Sequence, residues 1–81
     1  MRAAFTPHFH RSYQKLPASV QQTFQKQLAL LLKDVRHPSL RAKKYDARRG
    51  IWQARVTKSY RFYFVIERDT ILLLEIGPHS K

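Results

Sequence analysis

Two stretches of alternation, separated by a very short link, set what this chain can fold into. In residues 51–57, Trp52, Ala54 and Val56 fall on one side of an extended chain and Gln53, Arg55 and Thr57 on the other. In residues 60–66, Phe62, Phe64 and Ile66 share one face, and Arg61, Tyr63 and Val65 share the opposite one. Lys58-Ser59 leaves space only for a tight turn between them. The result is an antiparallel hairpin with an apolar side that needs a cover and a mixed side that can meet water.

The rest of the chain supplies the cover. Residues 2–6, RAAFT, read as an opening strand. Thr6 followed by Pro7 has the form of a helix N-cap with proline in the first turn. Phe9, Tyr13 and Leu16 then recur at i, i+4, i+7. Pro17 restarts the chain. Ser19 with Gln22 matches a capping box, and Val20, Phe24, Leu28, Leu31 and Val35 mark a helix over residues 18–35. Two helices in tight succession predict a helical hairpin. His37-Pro38-Ser39 stops it, because a residue before proline avoids the helical region. Residues 40–45 read as a further strand, 46–50 (DARRG) as a polar turn, and 71–76 as an apolar, central strand ended by Gly77-Pro78. The sequence therefore predicts an α+β fold of order β-α-α-β-β-β-β, an antiparallel-rich small sheet packed on an N-terminal helical hairpin, as one domain over residues 1–81.

Charge narrows the function. Sixteen Lys and Arg stand against five Asp and Glu, a formal net charge of +11. Nine of the basic residues lie between Arg36 and Arg61, with Asp46 the one acid among them. Such a surface implies a polyanionic partner, most commonly nucleic acid, with an acidic protein or a membrane surface as the alternatives. A membrane-surface helix would need its basic charge on an amphipathic helix, and here most of it lies outside the helical part. The longest apolar runs, 28–32 and 71–74, are too short to span a bilayer. There is no cysteine, so thiolate chemistry, disulfides and Cys-based zinc sites are excluded. A cytoplasmic protein without a membrane partner is expected.

The hairpin parity puts Arg55 and Arg61 on the same sheet face. Mutual attraction cannot explain two guanidinium groups there, whereas both present planar donors suited to phosphate. Lys58 in the turn adds to the field, and Arg41, Lys43 and Lys44 border it. Tyr60 and Tyr63 are candidates for stacking on unpaired bases. His79 follows the last strand behind Gly77-Pro78, at the sheet rim, and imidazole is the side chain best suited to move protons near neutral pH. His8 and His10 point about 200° apart on a helix and do not form a metal pair. No metal or other cofactor is expected.

Three segments, HPSLRAKKYD, RGIWQARVTKSYRFYF and LLLEIGPHSK, resemble the RelE/ParE superfamily of type II toxins, on the side of the RelE-like messenger-RNA endonucleases. The opening FTPHFHRSYQKLPASVQQTFQKQL is similar to that family's strand and helical hairpin. The resemblance implies a metal-independent endoribonuclease that cuts mRNA in the ribosomal A site by attack of the ribose 2′-OH on the adjacent phosphate. It implies Arg61 as the binder of the scissile phosphate and His79 as acid or base, with Lys81 assisting. Arg55 and Gln53 fall where some members carry catalytic lysines, and Gln53 cannot donate a proton as lysine does. Arg41, Lys43, Lys44, Gln53, Lys58, Tyr60 and Lys81 are the expected RNA contacts. The implied partners are mRNA, the ribosome and a cognate antitoxin with a small acidic segment. The alternative is a non-catalytic toxin, either a ParE-like gyrase poison or a relic that acts only by binding its antitoxin.

Overall fold

Thr6 stands between the first strand and the first helix, and its hydrogen bonds show how the two halves of the chain meet. Its hydroxyl accepts from the Phe9 N–H at 3.0 Å, capping the helix, and donates to the Leu74 carbonyl at 3.1 Å. Its own N–H donates to the Leu73 carbonyl at 3.1 Å. The computed structural model in which these contacts occur describes residues 1–79.

The elements are β1 (Arg2–Phe5), α1 (Pro7–Gln14), α2 (Ala18–Lys33), a single 3-10 turn (Pro38–Leu40), β2 (Lys43–Asp46), β3 (Ile51–Arg55), β4 (Tyr60–Glu67) and β5 (Thr70–Pro78). The expected order holds. The strands form one sheet in the order β1-β5-β4-β3-β2, with β1 parallel to β5 and the remaining pairs antiparallel. β5 is interior, as its apolar sequence requires.

The helical hairpin covers one face of this sheet. Phe9, Leu16, Val20, Phe24, Leu28 and Leu31 meet Ala54, Val56, Phe62, Phe64, Ile71, Leu73 and Ile76 in a single core. Phe24 stands edge-on to Phe62, with centroids 5.2 Å apart. Each large side chain removed from water here contributes about 1.5–3 kcal/mol. The helices are tied to each other by Gln21, whose amide donates to the Tyr13 carbonyl at 3.0 Å, and by Gln25, which reaches the Tyr13 hydroxyl at 3.0 Å.

Four local expectations are corrected. The strand expected over 51–57 ends at Arg55, so the link to β4 is four residues, 56–59, and not the two of Lys58-Ser59. Ser19 and Gln22 form no capping box: Pro17 is the N-cap of α2, and its carbonyl accepts from Val20 and Gln21 at 3.0 and 3.1 Å. With the cap at Pro17, Ser19 lies inside the first turn. α2 also ends at Lys33 rather than residue 35, because Asp34 turns extended and its carboxylate accepts the Arg36 N–H at 3.0 Å. The strand expected from residue 40 begins at Lys43, since Leu40 closes the 3-10 turn and is fully buried. Arg41 leaves that turn in a left-handed conformation, φ 47°.

The sheet carries two register shifts. In β4–β5, Tyr63 faces Glu75 but Phe64 faces Leu73, so Leu74 is an extra residue. In β2–β3, Lys44 faces Trp52 but Asp46 faces Ile51, so Tyr45 is extra. Such bulges reverse the in-out parity of the residues beyond them. In β5 the shift sends Ile76 into the core, although Ile71 and Leu73 are the inward residues before it.

Candidate nucleic-acid interface

The face of the sheet away from the helices carries the basic residues. Arg55 and Arg61 share this face, as the parity argument requires, and they are direct partners across the β3–β4 hairpin. Directly opposed like charges destabilise a sheet. The conflict is eased at Arg61, whose Nη1 donates to the carbonyls of Thr57 (2.7 Å), Lys58 (3.2 Å) and Tyr60 (3.1 Å). The guanidinium is thus folded against its own turn, where three carbonyl dipoles offset part of its charge. Its Nε and Nη2 make no hydrogen bond among the described residues.

The same turn holds His79. The His79 backbone N–H donates to the Ser59 carbonyl at 2.7 Å, and the Thr57 hydroxyl fixes the turn from inside by accepting the Ser59 N–H at 3.1 Å. One four-residue link therefore positions a cation and an imidazole together. Arg61 and His79 line a cavity of about 310 Å³ with Arg41, Lys43 and Gln53. Lys43 is there because it faces Gln53 across β2–β3. Gln53 is buried and donates from Nε2 to the Tyr63 hydroxyl at 3.2 Å.

The cavity is positive by construction. The ion pairs among the described residues join Arg2 to Asp69, His8 to Glu75 and Arg49 to Asp46. Arg41, Lys43, Arg55 and Arg61 have no carboxylate partner among those residues. Cations left unpaired around a concave site raise the local concentration of anions and favour a bound phosphate.

Of the residues singled out in the sequence, Arg41, Lys43, Gln53, Arg61 and His79 come together. Arg55 stands beside Arg61 in register but does not line the cavity. Lys58 is exposed in the turn and contributes its carbonyl to Arg61. Two expected contacts lie on the other face. Lys44 faces Trp52, with its ammonium 5.2 Å from the ring centroid, and so covers the helix side of the sheet. Tyr60 shares the parity of Phe62 and packs against the core. Lys81 lies outside the described residues.

Sequence reasoning missed Gln27. Its amide donates to the Arg55 carbonyl at 2.8 Å and to the Ser39 carbonyl at 3.2 Å, and its oxygen accepts from the Ser39 hydroxyl at 3.4 Å. It thereby joins α2 to the end of β3 and to the turn that delivers Arg41. The available signal was a glutamine in phase with Phe24, Leu28 and Leu31. Among the described residues no group of three or more His, Asp or Glu is placed to hold a metal ion, and no helix is long and apolar enough to cross a membrane.

No protein-family model matches the chain, and no curated protein matches it. Solved structures do. A YoeB/ParE toxin from Agrobacterium tumefaciens superposes with a TM-score of 0.82 over 99% of this chain and 100% of its own, at 14% identity. The archaeal RelE–RelB complex from Pyrococcus horikoshii gives 0.82 over 99% and 96%, at 18% identity. The intact RelBE toxin–antitoxin complex of E. coli gives 0.75 over 99% and 98%, at 14% identity. The chain has the fold of these toxins, along its whole described length.

Proposed function

We propose that this protein is the toxin of a type II toxin–antitoxin pair and belongs to the RelE/ParE superfamily, acting as a metal-independent endoribonuclease on mRNA at the ribosomal A site. The observation that carries the proposal is the cavity in which unpaired Arg41, Lys43 and Arg61 surround the histidine held by the β3–β4 turn. The fold shared with RelE and YoeB/ParE toxins supports it.

In this reading the scissile phosphate sits against Arg61 and Lys43. The ribose 2′-oxygen forms a bond to phosphorus, and the bond to the 5′-oxygen breaks. The products are a 2′,3′-cyclic phosphate and a 5′-hydroxyl. The cations stabilise the charge that builds on the non-bridging oxygens, and the RNA supplies its own nucleophile at high effective concentration. The proton lost by the 2′-hydroxyl ends on the departing 5′-oxygen, and His79 carries it, since the Gln53 amide cannot. Arg61 suits the phosphate role because its turn holds the guanidinium before substrate arrives, so little side-chain entropy remains to be lost.

The antitoxin follows from the same charge. An acidic segment covering the cavity would neutralise it, and of the similar structures one is named as a toxin–antitoxin complex and another as a RelE–RelB complex. The experiment is induced expression with primer extension on cellular mRNA. New 5′ ends within codons, lost in His79→Ala, support the nuclease. Growth arrest with DNA damage signalling and intact mRNA assigns the protein instead to gyrase poisoning. Gln53, standing where the resemblance implies a lysine, is the residue that favours this second reading.

A further inference from the structure

Both bulges of the sheet act on one spot. The extra Leu74 in β5 turns Glu75 to the open face, opposite Tyr63. Without it Glu75 would share the inward parity of Ile71 and Leu73. The extra Tyr45 in β2 leaves the ladder and lies against Tyr63, ring centroids 4.9 Å apart and planes at 64°. Tyr45 keeps the open-face parity of Lys43, and Glu75 is the side chain that its bulge re-aims; the two line a second cavity of about 490 Å³ together with Tyr63, Arg49 and Ile51. Gln53, which lines the phosphate cavity, donates to the Tyr63 hydroxyl. The two cavities are therefore neighbours on one face, joined by a hydrogen bond.

We infer that this second cavity is a nucleobase subsite with a preference for guanine, which rests on the RNA reading above and extends it to sequence selection. Tyr45 is 60% exposed, with a ring free to stack on an unpaired base. Glu75 is the informative residue. A carboxylate on the RNA-facing side of a protein with net charge +11 repels phosphate, so its place there calls for a ligand that donates hydrogen bonds. It is in contact with His8 at 3.7 Å, and both side chains are more than half exposed, so the carboxylate stays accessible. Guanine presents two adjacent donors, N1–H and the N2 amino group, which a carboxylate accepts together. Adenine and cytosine each set one amino group beside a ring nitrogen that is itself an acceptor. Uracil flanks its single N–H with two carbonyls. The carboxylate therefore ranks guanine first and uracil last.

The test is NMR titration of the folded protein with guanosine 5′-monophosphate and with uridine 5′-monophosphate, which carry the same phosphate. Tyr45 and Tyr63 ring signals should move at about tenfold lower concentration of the guanine nucleotide. Glu75→Gln, a change at an exposed position, should remove that difference, and Tyr45→Ala should weaken both nucleotides. Equal responses to the two nucleotides, or a guanine preference that survives Glu75→Gln, overturns the subsite. Selective guanine binding at Tyr45 in a protein that cuts no RNA leaves the subsite standing and removes the nuclease. Cleaved RNA with no guanine selectivity does the reverse.

Discussion

The two faces of the β3–β4 hairpin use the same backbone and solve opposite problems. Towards the helices, Ala54, Val56, Phe62 and Phe64 are buried against Phe24 and its neighbours, and among the described residues no buried side-chain polar atom lacks a partner. Away from the helices, Arg55 faces Arg61, and neither has a carboxylate partner among the described residues. The first face is settled by shape and by removal of apolar surface from water. The second is settled only in part, by three carbonyls on one nitrogen of Arg61, and the remainder is available to a ligand. Stability and binding capacity are thus separated across the thickness of one sheet.

This division can be tested by substitutions that should affect one face and spare the other. The largest effect is expected inside. Phe62→Ala opens a cavity beside Phe24 and Phe64 and should cost about 3–5 kcal/mol in chemical denaturation. Next, Arg61→Ala should slow RNA cleavage about 10²–10³-fold, while the unfolding midpoint stays near that of the parent, since water can reach the carbonyls it leaves. A large loss of stability in Arg61→Ala would break the comparison. Gln27→Ala links the two faces. It strands the Arg55 and Ser39 carbonyls, should cost about 1–3 kcal/mol, and should lower cleavage too by loosening the end of β3. The smallest effect has the opposite sign. Arg41→Gly relieves a left-handed backbone at φ 47° and should gain about 1 kcal/mol of stability while weakening RNA binding in filter assays at low salt. If Arg41→Gly binds RNA as the parent does, Arg41 belongs to the fold alone.

What was legible in the sequence divides along similar lines. Periodicity placed both helices and the β3–β4 hairpin, because a sheet face and a helix face each bury side chains at a fixed spacing, whereas β1, β2 and β5 were read from composition and the turns that bound them. Parity also put Arg55 and Arg61 on one face, but their direct pairing comes from the four-residue link 56–59, where the sequence predicted a two-residue turn at Lys58-Ser59. Tyr60 was expected to contact RNA, although its parity with Phe62 points it to the core, where it packs. Lys44 was not readable, because the residues of β2 take their sides from pairing with β3, and Tyr45 interrupts that register. The Leu74 bulge was equally hidden, since an apolar run such as ILLL shows no alternation to break. The hold of the turn on Arg61 and His79 depends on backbone carbonyls, which every sequence has and none advertises. The cavity of Arg41, Lys43, Gln53, Arg61 and His79 was therefore visible as a list of residue types, and the neighbouring one lined by Tyr45 and Glu75 was not visible at all.

The pairing of β1 with β5 has a consequence for how the molecule comes into being. Arg2 lies beside Thr70 and Phe5 beside Leu73, so the first strand made must wait for the last of the five. β5 also sits between β1 and β4, and until it arrives β1 has no strand to pair with. The ordering of β1, α1 and the rim that holds His79 depends on contacts of long sequence separation, which form late and slowly. During synthesis the early segments emerge before the strand that organises them. Under the proposed function the chain would be harmless while it is being translated, and would acquire its cavity only once the residues that close the sheet had been added.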